Sequence, residues 1–155
     1  MEVIASEFAA GFGTFQDVVR SALRLLFALF CGAVIGVERE RVGKAAGLRT
    51  HVLVAVGSAL FVVAPIEAGI DASGLSRVLQ GLITGIGFLG AGAILKREKH
   101  NDIRGLTTAA GIWMTAAIGM TVGLGRFGMA LVGTAIAYAI LSVMRHLDVA
   151  GDDGG

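Results

Sequence analysis

Residues 105–125 read GLTTAAGIWMTAAIGMTVGLG, 21 residues without one charged side chain. A helix that spans a bilayer needs about 20 mostly apolar residues, with a usual range of roughly 17–25. Three further uncharged runs flank this one in the chain: Thr50–Ile66 (17 residues), Val78–Leu95 (18) and Phe127–Met144 (18). A shorter run, Leu25–Val37, has 13 residues and reaches spanning length if its helix starts near Val18. Arg20 and Arg24 would then snorkel towards the headgroups. The runs are continuous rather than alternating, so helices are expected and barrel strands are not.

The pattern predicts an all-α membrane protein with five transmembrane helices, at about 18–38, 50–67, 78–96, 106–125 and 127–145. These form a membrane domain over 18–146, between an N-terminal outer-surface segment, 1–17, and a tail, 147–155, expected to be disordered. Composition agrees. Of 155 residues, 55% are apolar, only 16% are charged and 24 are Gly. Ordinary soluble domains carry roughly 25% charged residues, so a water-facing globule is excluded. One Cys excludes a disulfide framework. No nucleic-acid partner is expected from a net charge of +1.

That net charge hides an uneven distribution. The 39–49 loop holds Arg39, Arg41, Lys44 and Arg49, and the 96–104 loop holds Lys96, Arg97, Lys99 and Arg104. With Arg145 these make nine basic residues on one side, against four (Arg20, Arg24, Arg77, Arg126) on the other. The positive-inside rule places both basic loops and the C-terminus in the cytoplasm and the N-terminus outside. Residues 1–17 hold Glu2, Glu7 and Asp17 but no Lys or Arg, unlike a secretory signal peptide. Ile4, Phe8, Phe12 and Phe15 recur at helical spacing, which predicts a short helix on the outer surface.

Shifting the chain by 58 positions aligns 30–51 with 88–109, with 8 identities over 22 positions and no gap. Arg39–Glu40, Gly47–Leu48 and Thr50 recur as Arg97–Glu98, Gly105–Leu106 and Thr108. This is the mark of a parallel helix–loop–helix repeat. Glycines also recur at four-residue steps, at Gly32/Gly36, Gly81/Gly85 and Gly119/Gly123, which gives a smooth face for close helix packing. The third span adds Gly87, Gly90 and Gly92, and is therefore expected at the centre of the bundle. Two matches to G-x-G-x-x-G, Gly85–Gly90 and Gly123–Gly128, lack the strand and βαβ unit of a nucleotide fold and follow from glycine content alone.

The polar residues gather at the basic loops. Glu38, Glu40, Glu98 and Asp102 are hard oxygen donors of the type Mg²⁺ takes, with Glu38 and Asp102 the first choices as metal ligands. Arg39, Arg49, Thr50, Arg97, Arg104, Thr107 and Thr108 are candidates for anion or lipid-headgroup contacts at helix starts. The structural alternative makes Thr50 and Thr107 helix caps, with Glu38–Arg49 and Asp102–Arg104 as ion pairs. No ionisable residue lies mid-span in spans two to five, which weakens a pump or symporter. Gln80, Thr84, Ser58, Thr115, Thr121 and Thr134 are expected to bond across helices. His51 and His100 flank the basic loops, where they would titrate near neutrality. Trp113 is expected to pack, and Cys31 to be a buried apolar residue. No nucleophile–base pair or acidic dyad appears, so the chain is read as a non-enzyme.

Gly36–Val37–Glu38–Arg39–Glu40, Gly47–Leu48–Arg49–Thr50–His51, Gly85–Ile86–Gly87–Phe88–Leu89–Gly90–Ala91–Gly92 and Arg104–Gly105–Leu106–Thr107–Thr108–Ala109 together resemble the MgtC/SapB family of bacterial inner-membrane proteins. The resemblance covers about 23–145. It implies five spans, an outside N-terminus and links to Mg²⁺ homeostasis, growth at low Mg²⁺ and intracellular virulence. For some members it also implies inhibition of the rotary ATP synthase. Many members carry a C-terminal cytoplasmic domain, and no such domain is expected after span five. Two functions follow as expectations. The first is a homo-oligomeric protein that binds or passes a divalent cation, with Mg²⁺ the expected ion. The second is a regulator that docks on another membrane protein complex.

Overall fold

The structure, a computed structural model, describes residues 1, 3, 14–97 and 102–152, with only the backbone described for 95–97, 102–103 and 144–152. Among the described residues there are five α-helices: α1 (Phe15–Arg41), α2 (Leu48–Glu67), α3 (Ala72–Gly92), α4 (Leu106–Gly123) and α5 (Phe127–Asp152). α1, α2 and α4 are long and apolar enough to cross a membrane, and α5 has a shorter apolar stretch, Phe127–Val143. α3 is as long, but its first half carries Ser73, Ser76, Arg77 and Gln80. The fold is that of an all-helical multi-pass membrane protein. Of the expected surface helix, Phe15 instead opens α1, and residues 4–13 lie outside the described residues, as do 153–155 of the tail 147–155. α5 itself runs on to Asp152, past the expected end of the fifth span.

α1 starts three residues before the expected boundary because Thr14 and Asp17 form a reciprocal capping box. At 1.5 Å per residue its 27 residues reach about 40 Å, and three other helices pack along it. The core is Ala28, Cys31 and Ile35 of α1, Ala55 and Ala59 of α2, Ile118 and Val122 of α4, and Ala130, Ala137 and Leu141 of α5. Small residues dominate, so the helix axes come close. A Cβ on Gly32 would stand 2.7 Å from His51 O, and one on Gly36 2.7 Å from Leu48 Cα. Gly119 sits directly against the Ala55 carbonyl, and a Cβ on Gly123 would come within 2.8 Å of Ala59 O. α1 and α4 thus clasp α2 from two sides through bare backbone.

α3 is not central. Ile86 and Gly90 are its buried residues, and nothing lies within 4 Å of where a Cβ would be on Gly81, Gly85, Gly87 or Gly92. Its glycine strip borders an open groove of about 690 Å³ against α2, lined among others by Leu53, Gly57, Phe61, Gly81 and Gly85. Gly90 does pack, with a would-be Cβ 3.7 Å from Ala109 of α4. The 96–104 segment is not a plain loop: Leu95–Arg97 pairs antiparallel with Asp102–Arg104. Trp113 is half exposed rather than packed.

The other end of the bundle is held by polar contacts. Ser21 donates to Glu67 Oε1 at 3.1 Å, joining α1 to α2. Arg24 does not snorkel outward. Its Nε and Nη1 are buried, and its guanidinium lies on the α4–α5 turn, where a Cβ on Gly125 would be 3.1 Å from Nη2. Gly125 (φ +76°) is the left-handed residue ending α4, with Gly125 N–H on Val122 O and Arg126 N–H on Thr121 O. The positive side chain therefore sits at the negative end of α4.

Asp71 caps α3, accepting from Gly74 N–H at 2.8 Å and from the Ser73 hydroxyl. The Gly74 bond, then Ser73, holds this exposed carboxyl below the usual carboxylate range. A lowered native pKa stabilises the cap above the unfolded-state pKa, and that contribution fades as pH falls through the native value. Amide exchange at Gly74 should therefore be slow near neutrality and lose protection in acid. In Asp71→Asn the protection should no longer follow pH; an acid-dependent loss persisting in that variant would exclude Asp71 as its source.

Candidate functional site

The polar chemistry concentrates where α1 runs out beside the start of α2. α1 ends in a left-handed Gly43 (φ +65°), with Lys44 N–H on Arg39 O and Gly43 N–H on Glu40 O. The last turn is thereby fixed, and with it three consecutive charged residues on different faces. Glu38 and Arg39 point inward and are only 5% and 3% exposed, whereas Glu40 is exposed.

Arg39 Nε donates to Glu38 Oε2 at 2.5 Å, and Arg39 Nη2 donates to the Leu141 carbonyl of α5 at 3.1 Å. A charge at this depth is tolerable only when paired. Arg39 meets that condition and ties α1 to α5. Glu38 meets half of it, because Oε1 is buried without a hydrogen-bond partner among the described residues.

His51 completes the cluster. It lies four residues inside α2 and is fully buried, not at a solvated loop, because α2 already begins at Leu48. Its Nδ1 is 3.0 Å from Gly47 O, while Nε2 has no partner among the described residues and faces Gly111 of α4, whose Cβ would be 3.5 Å away. Around it α4 presents no charged side chain, only the buried Thr108 and Thr115.

The other candidate residues have these positions. Glu40 Oε2 accepts from Leu48 N–H at 2.8 Å and so caps α2 from the preceding helix. The N-cap residues are Gly47 and Gly105, not Thr50 and Thr107, which fall within first turns. Glu38 pairs with Arg39 rather than Arg49, which is exposed. Arg104 is exposed, Thr107 is exposed and Thr108 is buried. Arg97 and Asp102 face each other in the hairpin register, with their backbones alone described. Glu98 lies outside the described residues, and so does His100. Among the described residues no three His, Cys, Asp or Glu side chains gather as a metal cluster.

Four of the mid-helix hydroxyls bond within their own helix. Thr84, Thr115, Thr121 and Thr134 each donate to the carbonyl four residues back in their own helix. Two contacts were missed by sequence reasoning, the burial of His51 and the Arg39–Leu141 tie. The first had a faint signal: Gly32 and Gly36 mark a face that must take something from the start of α2. The second joins residues 102 apart and has no local signal.

The MgtC family's sequence pattern matches residues 25–150. The chain is 48% identical over 142 residues to Protein SrpB of Synechococcus elongatus, covering 84% of this chain and 78% of that protein. It is 45% identical over 130 residues to Putative magnesium transporter YhiD of Escherichia coli, covering 79% of this chain and 59% of that protein. To Protein MgtC of Salmonella typhimurium it is 47% identical over 124 residues, covering 80% of this chain and 52% of that one. The chain thus spans little more than half the length of the last two. No solved structure matches it.

Proposed function

The chain belongs to the MgtC family, and from that premise we propose a non-enzymatic protein of the bacterial inner membrane that serves Mg²⁺ homeostasis by binding or passing a divalent cation. In this reading all five helices cross the bilayer, with both basic connections and the C-terminus in the cytoplasm. The observation that carries it is Glu38 Oε1, a buried carboxylate oxygen without a partner among the described residues, at the negative end of α1. Hard cations take such oxygens while keeping several waters. Asp102 and Glu98, by their sequence positions in the second basic connection, are the further oxygen donors of this reading, and Arg49 and Arg104 would meet lipid headgroups. A relative named a putative magnesium transporter points the same way.

The repeat belongs to this proposal too. Gly32 packs on His51 and Gly90 on Ala109, pairs related by the same 58-residue shift as the sequence match. This shared register supports a duplicated helix pair.

Purified full chain in proteoliposomes should raise Mg²⁺ entry above that of empty liposomes, and Glu38→Gln should return entry to the empty level. Flux no greater than empty liposomes, together with unchanged Mg²⁺ binding in Glu38→Gln, would overturn the reading.

One observation favours a second reading. The open α2–α3 groove, with bare Gly81 and Gly85, suits a helix of another membrane complex and a regulator that transports nothing. Crosslinking in native membranes from Gly81→Cys should then capture that complex; recovery of this chain alone would dismiss it and leave a homo-oligomer.

A further inference from the structure

Arg24 lies about 21 Å along α1 from Glu38, at the other end of the bundle. Its Nε and Nη1 are buried without hydrogen-bond partners among the described residues. A buried charge is ordinarily paired, yet no described carboxylate forms an ion pair with Arg24. The acidic residues at this end are engaged elsewhere. Asp17 caps α1 and holds Arg20 at 3.1 Å, Glu67 accepts from Ser21, and Asp71 caps α3. The end of α4 sets only about half an elementary charge against the guanidinium.

Beside that guanidinium the chain turns directly into α5. A Cβ on Gly125 would be 3.1 Å from Arg24 Nη2 and 3.6 Å from Cζ, and the exposed Arg126 follows. The next backbone bond is from Ala130 N–H to Arg126 O, so the N–H groups of Phe127, Gly128 and Met129 open the helix. Nothing lies within 4 Å of where a Cβ on Gly128 would be. Phe27, three residues on from Arg24, meets Phe127 edge-on with ring centroids 4.9 Å apart, which holds the start of α5 against α1. These residues are the Gly123–Gly128 match to G-x-G-x-x-G. No nucleotide fold surrounds it, yet each glycine has a place. Gly123 packs on Val62 of α2, Gly125 makes the left-handed turn at Arg24, and Gly128 leaves the helix start open.

We infer that Arg24, Arg126 and the start of α5 form a binding site for a phosphate-bearing anion. The free N–H groups of α5 and the Arg126 guanidinium hold the phosphate oxygens. Arg24, on the protein side of the turn, supplies the positive charge that the anion neutralises. A phospholipid headgroup and free inorganic phosphate offer the same chemistry, and basic pockets at helix ends take headgroups in other membrane proteins. The site shares no residue with the cation reading.

The test uses the full chain and two probes. Native mass spectrometry of protein released from nanodiscs of phosphatidylglycerol and phosphatidylcholine counts the lipid retained. Inorganic phosphate is titrated separately into protein in phospholipid-free detergent and followed by its ³¹P resonance. Selective retention of phosphatidylglycerol alone identifies a headgroup as the occupant, and saturable phosphate binding identifies a free anion. Whichever probe binds, Arg24→Gln and Arg126→Gln should each weaken it about tenfold or more, as loss of a charge-assisted contact does. Gly128→Glu should do the same by putting a carboxylate in the anion's place. That side chain enters open space at a helix start that favours negative charge, so the variant should unfold in sodium dodecyl sulfate with wild type or above it. It keeps the test decisive if Arg24→Gln does not fold. Failure of both probes to bind wild type overturns the inference, and so does binding that is equal in Gly128→Glu. Neither result bears on Mg²⁺ flux, which is read through Glu38 at the opposite end.

Discussion

Gly119→Ala should lower the stability of the bundle by about 3 kcal/mol or more, the upper end of what overpacking costs. The added methyl would overlap the Ala55 carbonyl oxygen and stand 3.0 Å from Ala55 C and Cα. What it meets is backbone, so no rotamer change relieves the clash, and α4 must back away from α2. Ala55, Ile118 and Val122 are at most 3% exposed at this contact, so separation would open the core along its length. Gly81→Ala and Gly85→Ala make the opposite case. Nothing lies within 4 Å of either added methyl, and alanine is a better helix former than glycine by roughly 0.5–1 kcal/mol. Unfolding by sodium dodecyl sulfate, followed by circular dichroism, should place Gly119→Ala well below wild type and the other two at or above it. If Gly119→Ala unfolds with wild type, the α2–α4 packing described here is wrong. If Gly81→Ala is as harmful as Gly119→Ala, the α3 face is covered in the membrane by another chain.

These two sets of glycines show how far the sequence could be read. Their spacing is the same, and spacing establishes only that a helix face is smooth. Whether a neighbour uses that face is decided by how the helices assemble, which put Gly119 on backbone and Gly81 on open space. The long helices themselves were legible because a run without charge has few other uses at such lengths. Helix starts were less legible. Thr50 and Thr107 are good local caps, yet Glu40 reaches α2 from the end of α1 and takes the cap over, which moves the helix start back to Leu48. That shift of two residues is what draws His51 out of the basic connection and into the bundle. Of the candidate site, Glu38 and Arg39 were identifiable by type and place, but their inward direction was not. It depends on the last-turn geometry at Gly43 and on a carbonyl of α5 far along the chain.

Separate and joint replacement of Glu38 and Arg39 distinguishes a structural ion pair from a functional one. Removing one partner of a buried pair leaves an uncompensated charge, and such changes cost about 3–5 kcal/mol. Arg39→Met should fall in that range, since it strands Glu38 and also frees the Leu141 carbonyl. Glu38→Leu should be nearly as harmful, stranding Arg39. The joint variant Glu38→Leu/Arg39→Met leaves no buried charge and fills similar volume, and such replacements are often neutral or stabilising. It should therefore recover most of the loss, a non-additivity measurable as a double-mutant cycle in the same detergent titration. An additive cycle would mean that the two side chains do not depend on each other, contrary to their direct bond. A joint variant that regains stability but passes no Mg²⁺ would place the charges in the service of the ion. One that regains both would make the pair a fastening between α1 and α5, and the cation would have to be held elsewhere.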